Sequence, residues 1–215
     1  MKSAATVPAF AYVGCFTSEK RKGHGQGISV YRIDQHSGAW SLVEVCETLQ
    51  NPGFLALDRD QKFLYAAHGS SKEISAYSID GTSGKLKRLN TQPTGGNNAP
   101  HLTIDPSNRF VLLANGPGIA VFPINQDGTL APASDIVVPP GDSGPYRDEQ
   151  QGPHPHQVIF DLTGRYLVAP DKGLDKILVY KLDPRTGKLA ENDPPFVKAR
   201  YGAVPRHVVI HPNLP

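Results

Sequence analysis

One phrase recurs along this chain at a nearly fixed interval, and internal repetition of that kind decides which folds are open to it. A full copy reads Phe54-Leu-Ala-Leu-Asp-Arg-Asp-Gln-Lys-Phe-Leu-Tyr-Ala-Ala67, then Ile74-Ser-Ala-Tyr-Ser-Ile-Asp80, then Gly84-Lys-Leu86. The phrase returns over 101–114, 119–125 and 128–130, and again over 156–169, 177–183 and 187–189. An earlier copy has only its later strands, Ala11-Tyr-Val-Gly-Cys15 and Ile28-Ser-Val-Tyr-Arg-Ile-Asp34. A last copy has only its opening, His207-Val-Val-Ile-His-Pro-Asn213. The rings in the Tyr-x-Ile-Asp strand and its counterparts, Tyr31, Tyr77, Phe122 and Tyr180, stand 46, 45 and 58 residues apart.

Each copy consists of short runs rich in Val, Ile, Tyr and Phe, bounded by Gly, Pro, Asn and Asp. That pattern predicts antiparallel strands joined by tight turns. No apolar stripe of helical period lasts three turns, so no helix is expected. A unit of about 45 residues and four strands has the size of one β-propeller blade. The expected fold is therefore all-β: a propeller of about four blades plus the first strand of a fifth. The repeat units run over 11–50, 51–97, 98–150, 152–200 and an incomplete 202–215. A blade buries its faces only against neighbouring blades. Residues 207–211 could complete the first unit and close a ring of four. The reading adopted is that the chain is the N-terminal part of a larger ring.

Composition narrows the partners. A formal charge of +2 with mixed signs along 215 residues argues against a nucleic-acid binder. The first ten residues hold one Lys and no long apolar run, so neither a secretory leader nor a membrane span is expected, and the chain reads as cytoplasmic. Cys15 and Cys46 follow no metal spacing and are expected to be buried, reduced thiols. The oligomeric state is not written in the sequence.

The repeat is interrupted once. About a dozen extra residues lie between Leu130 and His154, and they carry Arg147, Asp148 and Glu149 into Gly152-Pro-His-Pro-His156. An insertion in one unit of an array maps to one loop, either on the binding face or as plain solvated surface. His154 and His156 stand two apart, so on a strand they point the same way. Three roles are open to them: metal ligands, for which no third and fourth ligand is evident; structural caps at a strand start; or an acid–base group working near neutral pH.

The third role needs an electrophilic partner. His156 opens one repeat and Arg206-His207 opens the next, so they occupy equivalent places in adjacent units. Starts of innermost strands line the mouth of a propeller's channel, where an imidazole and a guanidinium would converge. His101, at the same place one unit earlier, stands on the other side of His156. Arg206 offers a rigid, permanently charged fork of donors for a carboxylate, a phosphate or a developing oxyanion. No Gly-x-Ser-x-Gly elbow, Walker loop or dinucleotide fingerprint is present.

Three stretches carry a resemblance: residues 152–156, Ala169-Pro-Asp-Lys-Gly-Leu-Asp-Lys-Ile177 and Gly202-Ala-Val-Pro-Arg-His-Val-Val-Ile-His-Pro-Asn213. With Ala11-Tyr-Val-Gly-Cys-Phe-Thr17, they resemble the cycloisomerase-2-type lactonase family, which includes propeller-type 6-phosphogluconolactonases and 3-carboxy-cis,cis-muconate lactonizing enzymes. The resemblance implies a seven-bladed propeller and a catalytic pair at His156 and Arg206. Beside that pair, His154, His101 and His207 are candidate substrate contacts, and Arg147, Lys172 and Lys176 are candidates either to meet the substrate's phosphate or to be plain solvated surface charge. Asp171 is implied either as an imidazole orienter or as a turn residue. The implied reaction is hydrolysis of 6-phospho-D-glucono-1,5-lactone in the pentose phosphate pathway, with no metal or organic cofactor and a small anionic sugar lactone or carboxylate as partner. Two rivals stand beside it, a carboxymuconate cyclase and a non-catalytic propeller. A family glutamate and a second arginine have no counterpart before Pro215, which leaves one side of the implied pocket without its residues.

Overall fold

The computed structural model describes residues 9–213, and they form four antiparallel sheets in chain order. The first sheet has three strands, β1 (Ala9–Val13), β2 (Gly27–Ile33) and β3 (Trp40–Glu47). The second holds β4 (Pro52–Leu57), β5 (Phe63–His68), β6 (Glu73–Ile79) and β7 (Leu86–Pro93). The third holds β8 (Asn97–Ile104), β9 (Phe110–Gly116), β10 (Ile119–Pro123) and β11 (Asp135–Val137). The fourth holds β12 (Ile159–Phe160), β13 (Leu167–Asp171), β14 (Lys176–Leu182) and β15 (Leu189–Lys198). Among the described residues the helical content is one short 3-10 turn, Glu19–Arg21.

Turn chemistry explains why each sheet folds as a meander. In every complete copy an Asp closes the hairpin between the first two strands. Asp58 Oδ1 accepts from Lys62 and Phe63 N–H (2.7 Å each), Asp105 Oδ1 from Arg109 and Phe110 (2.7 Å each), and Asp161 Oδ1 from Arg165 and Tyr166 (3.0 and 2.9 Å). Three residues past each Asp the backbone turns left-handed, at Gln61, Asn108 and Gly164. A carboxylate satisfying the turn's own amides supports a conformation that Gln and Asn adopt only at some cost. The last hairpins of the first, second and fourth sheets repeat the device at Asp34, Asp80 and Asp183, each followed by a left-handed Gly at 38, 84 and 187.

The strands pack through both faces. In β5, Tyr65 and Ala67 enter the core shared with the third sheet, while Leu64 and Ala66 face the core shared with the first. In β9 and β10, Val111, Leu113, Ala120 and Phe122 face the second sheet, and Leu112, Ala114, Ile119 and Val121 face the fourth. Side chains alternate across a pleat, so a strand apolar at every position must be sandwiched. Register shifts fall beside Tyr31, Tyr77 and Tyr180, where the outer strand carries extra residues that increase local twist.

Two expectations are adjusted. Residues 207–211, read as an innermost strand, run beside the fourth sheet without joining a ladder; Val208 N–H donates to Gln157 Oε1 at 2.6 Å. They complete no part of the first sheet, whose β1 therefore remains at its edge. No other described segment lies alongside 207–211 to supply the backbone partners a strand needs. The cysteines are free as expected but only partly buried, and Cys15 Sγ donates to the Gly27 carbonyl at 2.9 Å. No helix among the described residues is long and apolar enough to cross a membrane.

Candidate active site

The innermost strands begin at one end of the sheets, and their loops surround a cavity of about 370 Å³. Its walls come from all four sheets: Phe16 and Arg21 after β1, Gly53 and Gly69 of the second sheet, Asn98 to Pro100 of β8, and Glu149, His154, His156, Lys172 and Arg206. His156 and Arg206 thus share one cavity, as successive units around an axis would place them.

The histidine segment is laced to the end of β13. His156 N–H donates to the Pro170 carbonyl at 2.9 Å, and Lys172 N–H donates to the His154 carbonyl at 3.1 Å. Asp171 Oδ1 accepts from the backbone N–H of His154 (2.9 Å), Gly173 (2.8 Å) and Leu174 (3.0 Å). Asp171 is buried, and its hydrogen bonds go to backbone N–H groups, as a turn residue's would; its Oδ2 has no hydrogen-bond partner among the described residues. Desolvation raises its pKa despite these donors. A Cβ on Gly173 would meet the Gly152 carbonyl oxygen at 1.7 Å, so only glycine lets the two backbones close up here.

Arg206 is presented by a second buried carboxylate. Asp175 accepts from Gly202 N–H (2.7 Å) and Val204 N–H (2.8 Å). Val204 is held at φ 49°, a left-handed conformation that a β-branched residue keeps only when its surroundings enforce it. Beyond this bend Arg206 Nη2 reaches Glu149 Oε2 at 3.0 Å, and Lys172 Nζ meets the same oxygen at 2.6 Å. The two cations hold the Glu149 carboxylate below its ordinary pKa. Gln150, buried next to it, fixes the inserted loop by donating to the Lys172 carbonyl at 2.9 Å.

Three of the site's histidines, His156, His154 and His101, are biased toward the neutral form. Burial first, then Arg206 and His207, lowers His156 to about 4; burial, then Lys172, lowers His154 to about 4. Burial, then His207 and His156, brings His101 to about 4. The His156 ring stands edge-on to His207, centroids 5.0 Å apart, and 6.5 Å from His154. His101 lies against Phe54, centroids 4.1 Å apart. Its Nδ1 and that of His156 find no protein hydrogen-bond partner among the described residues.

The structure therefore brings together His154, His156, Lys172 and Arg206 around the cavity, with His101 and His207 beside them. Arg147 sits in an exposed turn, and Lys176 donates to the Pro140 carbonyl at 2.9 Å over the Phe196 ring, outside the cavity. Glu149 lies in the inserted loop and Phe16 in the Ala11–Thr17 stretch without an assigned role, and Arg21 and Asn98 carry no sequence signal. Among the described residues no group of three or more His, Cys, Asp or Glu side chains is placed to hold a metal ion. A neutral imidazole beside a guanidinium can accept a proton and stabilise an oxyanion.

Comparison with known proteins agrees with the fold. Residues 10–215 match a family model described as "Lactonase, 7-bladed beta-propeller". A 6-phosphogluconolactonase of Bacillus subtilis is 34% identical over 94% of this chain and 56% of its own length. The crystal structure of a protein titled a putative 6-phosphogluconolactonase from Bacteroides fragilis superposes with a TM-score of 0.84 at 34% identity, covering 96% of this chain and 59% of that one. A periplasmic gluconolactonase of Pseudomonas aeruginosa superposes with a TM-score of 0.82 at 29% identity, covering 93% and 57%. The chain spans less than three fifths of the length of each.

Proposed function

This chain belongs to the seven-bladed β-propeller lactonase family, and from that premise we propose that it acts on 6-phospho-D-glucono-1,5-lactone, hydrolysing it to 6-phosphogluconate. The observation that carries the reading is the shared cavity of His156 and Arg206, a neutral imidazole facing a permanent cation. His156 takes a proton from water as the water oxygen bonds to the lactone carbonyl carbon. Arg206 stabilises the oxyanion that forms on the carbonyl oxygen. On collapse the bond from that carbon to the ring oxygen breaks, and His156 returns its proton to the departing oxygen. Burial and the nearby cation lower the pKa of the imidazolium, which favours this second transfer and weakens the imidazole as base in the first. Glu149, itself paired with Lys172, holds Arg206 in place. The same reading places the reaction in the cytoplasm and in the pentose phosphate pathway.

The test is turnover of 6-phosphogluconolactone, corrected for spontaneous hydrolysis, by the wild type and by His156→Gln and Arg206→Gln. Each variant is expected to lose about 10²- to 10⁴-fold in kcat while keeping its fold. Undiminished turnover by His156→Gln overturns the assignment. Turnover of 3-carboxy-cis,cis-muconate in place of the phosphosugar lactone overturns the substrate.

A further inference from the structure

The cations around the cavity divide into two sets. Lys172 and Arg206 share the Glu149 carboxylate. Arg21, on the opposite chain segment, has neutral partners: Nε donates to Ser70 Oγ at 2.5 Å, Nη2 donates to Asn98 Oδ1, and the guanidinium lies 5.2 Å from the Phe16 ring centroid. Arg21 and Asn98 also form a wall of a second cavity of about 510 Å³, which Lys20, Lys72 and Ser70 line as well. Among the described residues none of Lys20, Arg21 and Lys72 has a carboxylate within ion-pair distance. Glu73, next in sequence to Lys72, is turned instead to Ser71 Oγ and the Lys72 backbone N–H.

Arg21 is built in place. Buried Asn51 accepts from Thr17 N–H (2.8 Å) and Ser18 N–H (3.0 Å), fixing the loop that leads into the Glu19–Arg21 turn. Of the five N–H donors of a guanidinium, Ser70 and Asn98 use two, which leaves three for a ligand. An arginine held by stacking and neutral hydrogen bonds has paid most of its ordering entropy before a ligand arrives.

We propose that Arg21, flanked by Lys20 and Lys72, forms the subsite for the phosphomonoester end of the substrate. This rests on the lactonase reading and assigns that reading's substrate an orientation: phosphate toward Arg21, lactone carbonyl toward His156 and Arg206. A phosphomonoester brings nearly two negative charges and three acceptor oxygens, which suits three unneutralised cations and a planar fork better than a single carboxylate does.

The experiment compares hydrolysis of 6-phosphogluconolactone with that of unphosphorylated glucono-1,5-lactone in the wild type, in Arg21→Gln and in Lys20→Gln/Lys72→Gln. For the phosphorylated lactone, kcat/KM is expected to fall about 10- to 100-fold in Arg21→Gln, chiefly through KM, and several-fold in the double variant. For the unphosphorylated lactone it stays within about twofold. The double variant leaves the Ser70 and Asn98 contacts intact and so keeps the test valid if Arg21→Gln folds poorly. Equal losses on both lactones, or no loss on either, overturn the subsite. If the wild type hydrolyses neither lactone, the lactonase reading fails, and calorimetric titration with 6-phosphogluconate and gluconate decides the subsite alone. A preference for the phosphorylated acid that Arg21→Gln abolishes supports it; equal binding of the two acids overturns it.

Discussion

Glu149 holds Lys172 and Arg206 with one oxygen, at 2.6 and 3.0 Å, and it reaches the cavity on an inserted loop. Its carboxylate therefore competes for the cations that an anionic product would meet. Glu149→Gln is expected to tighten binding of 6-phosphogluconate up to about fivefold, the scale of a half-exposed ion pair, as a lower product-inhibition constant. An unchanged constant would mean that the product never contacts this pair. At this scale the sequence singled out His156 and Arg206, because they open adjacent repeats, and His154, because it stands two residues from His156. It could not disclose Arg21 or Glu149 as cavity residues: each lies in a loop outside the repeat, and only the closure of four sheets brings the two loops to one hole. Asp171 was legible only as an alternative. Its three backbone amides arrive from two separate segments, which no spacing rule predicts.

The hairpin is the element that the chain encodes most locally. Asp105 is buried and accepts four hydrogen bonds from its own turn, at Ser107 N and Oγ and at Arg109 N and Phe110 N. Asp105→Ala is expected to cost about 2–3 kcal/mol by urea denaturation, since several amides lose a charged acceptor at once. Asp105→Asn keeps one acceptor oxygen and is expected to cost less. The strands were legible for the same local reason: Asp, the left-handed position and the apolar run lie within a few residues of one another. Residues 207–211 were misread as a strand because a strand is completed by a neighbour, and their sequence specifies only half of that pairing. β11 shrinks to three residues for a related reason, since the Pro-rich insertion after it offers few amides to a ladder.

Across the whole molecule, stability and site chemistry meet in the histidines. His68 is fully buried between the Gln50 carbonyl and Ser75 Oγ, and burial lowers its pKa; His101, His154 and His156 are lowered to about 4. Unfolded, each titrates near 6.5, so as pH falls below that value the unfolded state takes up protons that the folded state refuses. Stability is therefore complete above about pH 6.5 and declines toward pH 4. Asp171, raised by burial, opposes this weakly, and the carboxylates held low by their turns act only at more acid pH. The urea midpoint is expected to fall steadily from pH 7.5 to 5; a flat profile would mean that these imidazoles are not buried in the neutral form.

From the sequence alone came the all-β class, the repeat that sets strand and turn positions, and the pairing of His156 with Arg206 across adjacent units. All of these follow from patterns a few residues long or from the period itself. The tertiary structure decided that Glu149 bridges two cations, that Lys176 turns away to Phe196, and that Arg21 faces the histidines from the other end of the chain. Those facts depend on which loops the sheets bring to the same end. That choice is made by the packing of apolar faces between sheets, through contacts among residues far apart in sequence.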